Sequence, residues 1–193
     1  MKRSILFLIL LTFAVSAKAQ QFSTISARWS DSFVEWDLYA LTGDTTDEGY
    51  PAEEIAGELK LRWLGIKDDF SEWEYRVGDE SGNIRAKFKD DPTYWELRSF
   101  SGSVISMRTA WSNDFTEWRV TDNATTLMLR SRWKNQLNEW LVDDRNYGRF
   151  YLYTLRNQDP RDWAIEDTLD QGVSQPMKIA FIFLTVFHSS PRM

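Results

Sequence analysis

The chain has 193 residues, which is enough for one domain with a substantial core. It contains no cysteine, which excludes disulfides, thiol catalysis and thiolate metal sites. Acidic residues outnumber basic ones by 29 to 23, and this balance argues against nucleic acid or an anionic membrane as a partner held by bulk charge.

Residues 1–19 have the pattern of a secretory signal peptide. Lys2 and Arg3 precede an apolar run over residues 5–15, and Ala17-Lys18-Ala19 is a small-x-small cleavage site. The apolar run is too short to span a bilayer. The pattern predicts an exported, periplasmic or extracellular protein from a bacterium, with a single mature domain over residues 20–193.

Six tryptophans recur along the mature chain, and the last five of them are 22 or 23 residues apart. The first interval is longer because of an insertion rich in glycine and acids at roughly 42–58. The sequence before the tryptophan repeats as well, as WSDSFVEW, WSNDFTEW and WKNQLNEW show. The repeating tryptophans are Trp36, Trp73, Trp95, Trp118, Trp140 and Trp163. This spacing indicates six copies of one structural unit.

Each copy has the pattern of a β-hairpin. Apolar and polar residues alternate on both sides of the motif, so that Leu127, Leu129 and Trp133 are predicted to share a buried face, as are Trp118 and Val120. The Asp-, Asn- and Ser-rich stretch between the two halves is typical of a turn. Six hairpins predict an all-β protein with twelve antiparallel strands in a meander.

Charged residues alternate with the apolar ones and are predicted to face outward. Arginine is frequent on the first strand of a hairpin and glutamate on the second. We expect cross-strand ion pairs such as Arg62 with Glu74 and Arg108 with Glu117. A solvated face with such pairs explains the pattern more simply than a charged binding face.

The acids in the turns are candidates for catalytic or calcium-binding groups. They recur from copy to copy, which favours a structural role in the turns over a hydrolase or calcium site. The pairs are Asp31 and Glu35, Asp69 and Glu72, and Asp114 and Glu117. His188 is the only histidine, and it fits a polar cap on an apolar segment. No catalytic, cofactor-binding or metal-binding residue is therefore assigned.

The segment 177–187 is almost wholly apolar and too short for a membrane span. An exposed segment of this kind would aggregate, so it is predicted to be buried on all sides. Its β-branched and aromatic residues favour a strand, whereas Pro176 and Pro191 suit the start and the stop of a helix. Hydrophobic periodicity leaves both interpretations open.

Six hairpins followed by a terminal apolar segment resemble the tubby-like barrel, a superfamily that includes the tubby, LURP-one-related and scramblase proteins. The tail PMKIAFIFLTVFHS, at 176–189, is similar to the helix that ends tubby domains. The resemblance implies a closed twelve-stranded barrel around a buried C-terminal helix. The basic phosphoinositide-binding residues of tubby have no clear counterpart here. An open solenoid of β-hairpins is the alternative architecture, although MORN and choline-binding repeats have regular glycines that this repeat lacks.

Three functions are compatible with these features. The first is a non-enzymatic binding or structural protein of the cell envelope, with no cofactor and with a partner that the sequence does not identify. The second is a lipid or hydrophobic-ligand carrier, which predicts a cavity beside 177–187 and basic residues at one barrel mouth. The third is a carbohydrate-binding or carbohydrate-active protein, which predicts two or more exposed tryptophans in one cleft. The insertion at 42–58 is a further candidate for a functional segment.

Overall fold

The computed structural model describes residues 21–64, 69–88 and 91–191. The predicted signal peptide at 1–19 and the parts of the repeat at 65–68 and 89–90 lie outside the described residues. The elements in chain order are β1 (Phe22–Trp29), β2 (Ser32–Thr45), β3 (Pro51–Leu61), β4 (Glu72–Val77), β5 (Glu80–Ala86), β6 (Tyr94–Ser99), β7 (Val104–Trp111), β8 (Asp114–Thr121), β9 (Thr126–Trp133), β10 (Gln136–Asp144), β11 (Gly148–Thr154), β12 (Asp162–Asp167) and α1 (Gln175–Ser189).

The twelve strands form one closed antiparallel barrel. Each strand pairs with the next one in the chain, and β1 closes the barrel against β12, where Ile25 lies opposite Trp163. A closed barrel has no unpaired sheet edge, which removes the aggregation hazard that an open meander would carry. The predicted meander barrel is confirmed, and the open solenoid is excluded.

The six repeating tryptophans point into the barrel, as predicted. All are at most 2% exposed, and a buried residue follows two positions later on the same face of the strand, such as Leu38 after Trp36, Val120 after Trp118 and Val142 after Trp140. A buried indole N–H needs an acceptor. Each Nε1 donates to the backbone carbonyl three residues earlier, at 2.8–3.1 Å, and the acceptors are Phe33, Phe70, Pro92, Phe115, Leu137 and Pro160.

This hydrogen bond explains why the copies of the motif that have proline in place of phenylalanine still form the same kind of hairpin. Proline replaces phenylalanine at Pro92 and Pro160, and proline lacks a backbone N–H but keeps its carbonyl oxygen. The carbonyl oxygens of Pro92 and Pro160 accept the indole N–H as the others do. Where the residue is Phe or Leu, its side chain also packs against the core.

The motif WxxDFxEW corresponds to a defined turn and bulge. In the β7–β8 hairpin, Trp111 pairs with Asp114 and Thr109 pairs with Trp118, so one residue of β7 faces three residues of β8. The hairpins β1–β2 and β9–β10 have the same register. Asn113, in the two-residue turn, has a φ of 62°, a left-handed conformation that asparagine tolerates well.

The bulge corrects one prediction of the sequence analysis. Trp133 was expected on the buried face with Leu127 and Leu129, but it is 49% exposed and its indole donates to Glu139. The strict alternation of a strand holds only up to Ser131, which pairs with Trp140. Beyond that pair the bulge interrupts the backbone pairing, and the side chain of Trp133 points to solvent instead of the core.

The apolar tail forms helix α1 and fills the barrel. Its residues 176–187 are all buried, which confirms the expected burial and resolves the choice between helix and strand. A helix satisfies its own backbone hydrogen bonds and therefore needs no strand partner inside the barrel. Phe183 and Phe187 each contact both Trp73 and Trp95, with ring centroids 4.8–6.1 Å apart.

One ion pair fixes the helix within this apolar interior. Lys178 Nζ lies 2.6 Å from Asp167 Oδ2, and both side chains are at most 4% exposed. The other carboxylate oxygen of Asp167 accepts the backbone N–H of Leu169 at 3.0 Å. Since removing water from a single charge is costly, each member of this pair depends on the other.

The insertion at 42–58 lengthens a hairpin rather than forming a separate loop. The strands β2 and β3 extend past the barrel wall, with Thr45 still paired to Pro51. The neighbouring strands stop earlier, since β1 pairs with β2 only as far as Ala40 and β4 pairs with β3 only as far as Gly57. Every residue of the segment 41–51 is exposed, so this arm adds little to the core.

The charges on the outer wall form cross-strand pairs, though not all of the expected ones. Arg62 Nε lies 3.3 Å from Glu74 Oε1, as predicted. The expected pair of Arg108 with Glu117 is wrong, because the register places Arg108 opposite Arg119 and Glu117 opposite Arg130. The Arg108 guanidinium instead lies 3.9 Å from the centre of the Tyr94 ring.

Candidate binding surface at the barrel mouth

The two ends of the barrel differ in what their turns carry. Since neighbouring strands are antiparallel, the turns β1–β2, β3–β4, β5–β6, β7–β8, β9–β10 and β11–β12 all lie at one end, which we call the motif end. The last turn of α1 reaches the same end. There Ser189 Oγ accepts the Trp140 indole N–H at 2.9 Å and donates to the Leu137 carbonyl at 2.7 Å.

A ring of large apolar side chains is exposed at the motif end. Each of the six hairpins presents at least one such residue at the end of its first strand or in the turn that follows, and the β3–β4 turn also exposes Leu64. The residue considered for each hairpin is between 40% and 67% exposed. We call this set the crown, and its members are Trp29, Trp63, Phe88, Trp111, Trp133 and Leu155. All four tryptophans that are not in the core therefore lie at this one end.

The crown indoles are held by glutamates of the adjacent strand or turn. Trp111 Nε1 donates to Glu117 at 2.9 Å, Trp63 to Glu72 at 3.2 Å and Trp133 to Glu139 at 3.3 Å. Trp29 donates to Glu35 in the same way. Fixing the edge of an indole restricts its rotamers, so less conformational entropy is lost when a partner packs against it.

Cations precede the crown residue in four hairpins, and each of them is paired with an acid. Arg28 contacts Asp37 at 2.5 Å, and Lys87 contacts Glu96 at 2.8 Å. Arg62 and Arg132 lie over the rings of the tryptophans that follow them, at 5.0 and 5.2 Å, and each also pairs with a glutamate. Basic residues are therefore gathered at one barrel mouth, as expected of a lipid carrier, but each of these four is paired with an acid.

Glu139 is the most heavily hydrogen-bonded of the crown glutamates. It accepts from the hydroxyl of Tyr151, from Arg132 at 2.9 Å and from Trp133. The hydrogen bond from Tyr151, with those from Arg132 and Trp133, outweighs partial burial and lowers the pKa of the Glu139 carboxyl. Burial and the neighbouring Glu139 raise the pKa of the Tyr151 phenol. The Glu139 carboxylate therefore stays charged, and accepts the Trp133 N–H, to a lower pH than an unperturbed glutamate would.

A cleft of about 330 Å³ lies between two hairpin tips of the motif end. The turn β9–β10 forms one wall, and the segment from the end of β11 to the start of β12 forms the other. Its lining residues are all uncharged, namely Asn135, Gln136, Leu137, Asn138, Thr154, Gln158, Pro160, Trp163 and Ser189. A second and smaller cleft, of about 130 Å³, lies where β3, β4 and β5 meet near Phe100.

The amides of the cleft wall differ in accessibility. Asn135 and Gln136 are exposed, so a ligand in the cleft can reach them. Asn138 Oδ1 is buried and has no hydrogen-bond partner. The backbone of Gln158, on the opposite wall, has a φ of 57° in the left-handed region.

The acids considered in the sequence analysis have structural contacts here. Asp114 Oδ1 accepts the backbone N–H of Thr116 at 2.9 Å, and Asp69 does the same for Ser71 at 3.0 Å. The partner acids Glu35, Glu72 and Glu117 hold crown indoles. Within the described ranges, no three His, Asp or Glu side chains come together as a metal site would require.

His188 lies at the end of the buried helix, where the polar cap was expected. Its ring contacts those of Phe115, Trp118 and Phe187, with centroids 4.8–5.4 Å apart. The histidine therefore belongs to the aromatic packing that closes the motif end. No helix in the described part of the chain is long and apolar enough to cross a membrane.

Sequence reasoning missed both the crown and the cleft. The sequence pattern did not distinguish the four exposed tryptophans from the six buried ones. Trp29, Trp111 and Trp133 each lie seven residues before a buried tryptophan. Three hairpins share that spacing and the bulge, so the spacing is the signal that would have found them. The copy of the motif at 133–140 is rich in Asn and Gln where other copies have acids, and this difference is the sequence feature that could have indicated the cleft.

No protein-family model, curated protein or solved structure matches the chain. The resemblance to the tubby-like barrel therefore stays a prediction.

Proposed function

We propose that this chain is an exported, non-enzymatic binding protein of the bacterial cell envelope, and that it holds an uncharged partner with the motif end of its barrel. The observation that carries the proposal is the crown, in which all four exposed tryptophans lie at one end of the barrel. Buried tryptophans dominate binding energies at protein interfaces, and a set of exposed ones is costly unless a partner covers them.

The rest of the molecule suits a rigid platform for such a surface. Helix α1 fills the interior, and the hydrogen bonds of Ser189 tie its last turn to the β9–β10 hairpin. The crown cations are paired with acids, so the surface offers apolar faces and hydrogen-bonding groups without a dominant charge. This balance favours an uncharged partner over an anionic one.

A lipid or hydrophobic-ligand function has less support. It would need a cavity beside the apolar segment, and the side chains of 176–187 are buried against the inner face of the barrel. The cleft at the end of α1 is lined mainly by amides and hydroxyls, which would lose hydrogen bonds to water on binding an apolar molecule.

The proposal is tested by sedimentation of the mature protein with the cell-envelope fraction of the producing cells. The double variant Trp29→Ala/Trp111→Ala is expected to lose at least tenfold in affinity, because it removes two crown indoles. Phe100→Ala is the control, since Phe100 is also an exposed aromatic residue but lies in the β6–β7 turn at the opposite end.

Two results would contradict the proposal. The first is unchanged sedimentation of the crown variant, and the second is an equal loss in the Phe100→Ala control. Raising the salt concentration should leave the wild-type affinity nearly unchanged, because screening weakens charge contacts and not apolar ones. Mass spectrometry of the secreted protein should find a chain that begins at Gln20 if the signal peptide is cleaved as predicted.

A further inference from the structure

We infer that the cleft between the β9–β10 turn and the β11–β12 connection binds a neutral saccharide. This inference rests on the proposed function, because it names the ligand class for one part of the same motif-end surface. It follows from the volume of the cleft and the chemistry of its lining.

The volume of the cleft limits the size of the ligand. At about 330 Å³, the cleft is at the lower end of the range for small-molecule sites. It has room for a ligand of one or two sugar rings and not for a folded protein element. It is also open at the rim, so a terminal or side-branch residue of a longer polymer can enter while the rest of the polymer crosses the crown.

The lining sets the charge of the ligand. None of the residues that line the cleft is charged. A charged ligand would lose its hydration without gaining a counter-ion, which is strongly unfavourable. A purely apolar ligand would strip water from the side-chain amides of Asn135, Gln136, Asn138 and Gln158 and give no hydrogen bond in return.

The remaining class is a neutral molecule rich in hydroxyl groups. Each amide side chain offers both a donor and an acceptor, and a hydroxyl group also donates and accepts. Asn135, Gln136 and Gln158 are exposed amides of the lining, so they can pair with sugar hydroxyls in either direction. Leu137 and Pro160, which are partly exposed, add apolar surface to the same walls, suited to the C–H groups of a sugar ring.

The cleft is already organised in the free protein. Trp163 Nε1 donates to the Pro160 carbonyl at 2.8 Å, and Asp159 holds Arg161 through two hydrogen bonds of 2.8 and 2.7 Å. These contacts fix the connection that carries Gln158. Preorganised walls reduce the entropy lost on binding and so raise the affinity for a small ligand.

The test uses the mature full-length protein and saturation-transfer NMR. The probes are glucose, galactose, mannose, N-acetylglucosamine and their β-linked disaccharides, with glucuronic acid as an anionic comparison. We expect saturation transfer to at least one neutral sugar and a weaker signal from glucuronic acid. Titration of the binding sugar, followed by NMR shifts of the Trp133 and Trp163 indoles, then gives the dissociation constant.

The variant Asn135→Ala/Gln136→Ala removes two amides from one wall and is expected to weaken sugar binding at least tenfold. The matched control is Asp31→Ala/Ser32→Ala, which changes the same two positions of the β1–β2 hairpin and should bind within twofold of the wild type. Should the first variant fail to fold, Gln158→Asn replaces it, because asparagine tolerates the left-handed backbone at that position.

Three outcomes would overturn the inference: saturation transfer to none of the neutral sugars, a preference for glucuronic acid, or equal binding by the cleft variant and the wild type. These outcomes are separable from failure of the proposed function. If sedimentation with envelopes still depends on Trp29 and Trp111 while the sugars do not bind, the binding role stands and the saccharide site is wrong. If sedimentation is independent of the crown, the binding role itself is wrong.

Discussion

The same residue type meets opposite environments at the two ends of one short motif. In the β7–β8 hairpin, Trp118 is fully buried and donates its indole N–H to a backbone carbonyl, whereas Trp111 is 67% exposed and donates to Glu117. Seven residues separate them. Strand alternation cannot account for the difference, since the bulge and the two-residue turn lie between the two positions. The local register, more than hydrophobicity, therefore decides which tryptophan forms the core and which is available to a partner.

The largest expected effect is the difference in stability between changes at these two positions. Trp118→Ala should lower the free energy of unfolding by about 3–5 kcal/mol, because it leaves a cavity against α1. Trp111→Ala should change it by no more than about 0.5 kcal/mol, as surface substitutions do. Equilibrium denaturation in urea measures both values. Similar losses at the two positions would show that the distinction between core and crown is wrong.

A second contrast separates buried charge from exposed charge. Asp167→Asn keeps an acceptor for the Leu169 N–H but leaves Lys178 buried without a counter-ion, which should cost about 3 kcal/mol. Arg132→Met breaks the exposed pair with Glu139 and should cost far less, because solvent screens that pair.

The double variant Asp167→Leu/Lys178→Met is the control for this contrast. Apolar replacements of similar volume remove both charges together, so most of the stability lost in Asp167→Asn should return. If the double variant is as unstable as the single one, the loss comes from altered packing around α1 and not from an uncompensated charge. Urea denaturation of the four proteins, with the wild type included, gives the comparison.

The smallest expected effect is a pH dependence confined to the crown. The pKa of Glu139 is lowered in the folded state, so the hydrogen bond from the Trp133 indole to the charged carboxylate is fully present above the ordinary carboxyl pKa of about 4.3. That charged hydrogen bond is lost only as the pH falls through the lower pKa of the folded state. The indole ¹⁵N signal of Trp133 should therefore stay constant from pH 7 to 5 and shift only in more acidic solution. The variant Glu139→Gln should lack that shift, and a shift near neutral pH in the wild type would contradict the assignment.

The parts of the fold that follow from repetition were predictable. The regular spacing of Trp73, Trp95, Trp118 and Trp140 and the alternation around them predict the hairpins, the strand count and the buried face. The conformation of 177–187 was not predictable, because a segment buried on every side shows no amphipathic period of either kind. The insertion at 42–58 was located correctly, but its form as a paired arm depends on backbone contacts that composition does not reveal.

The candidate site was harder to foresee than the fold. The cleft joins Asn135 and Gln136 to Gln158 and Pro160, which come from different hairpins, and only the pairing of β10 with β11 brings them near each other. Ser189 reaches the same cleft because α1 runs back through the barrel to the motif end. Such a meeting of three chain segments follows from closure of the barrel and leaves no local motif.

The most direct measurement of the division between core and crown is the solvent accessibility of all ten indole N–H groups. A soluble paramagnetic agent, added to ¹⁵N-labelled protein, broadens the signals of exposed groups and spares buried ones. Four indole signals, those of Trp29, Trp63, Trp111 and Trp133, should broaden, and the six of the repeating tryptophans should remain sharp. Broadening of any of the six would contradict a barrel that wraps its apolar helix, and protection of the four would contradict a tryptophan surface open to a partner.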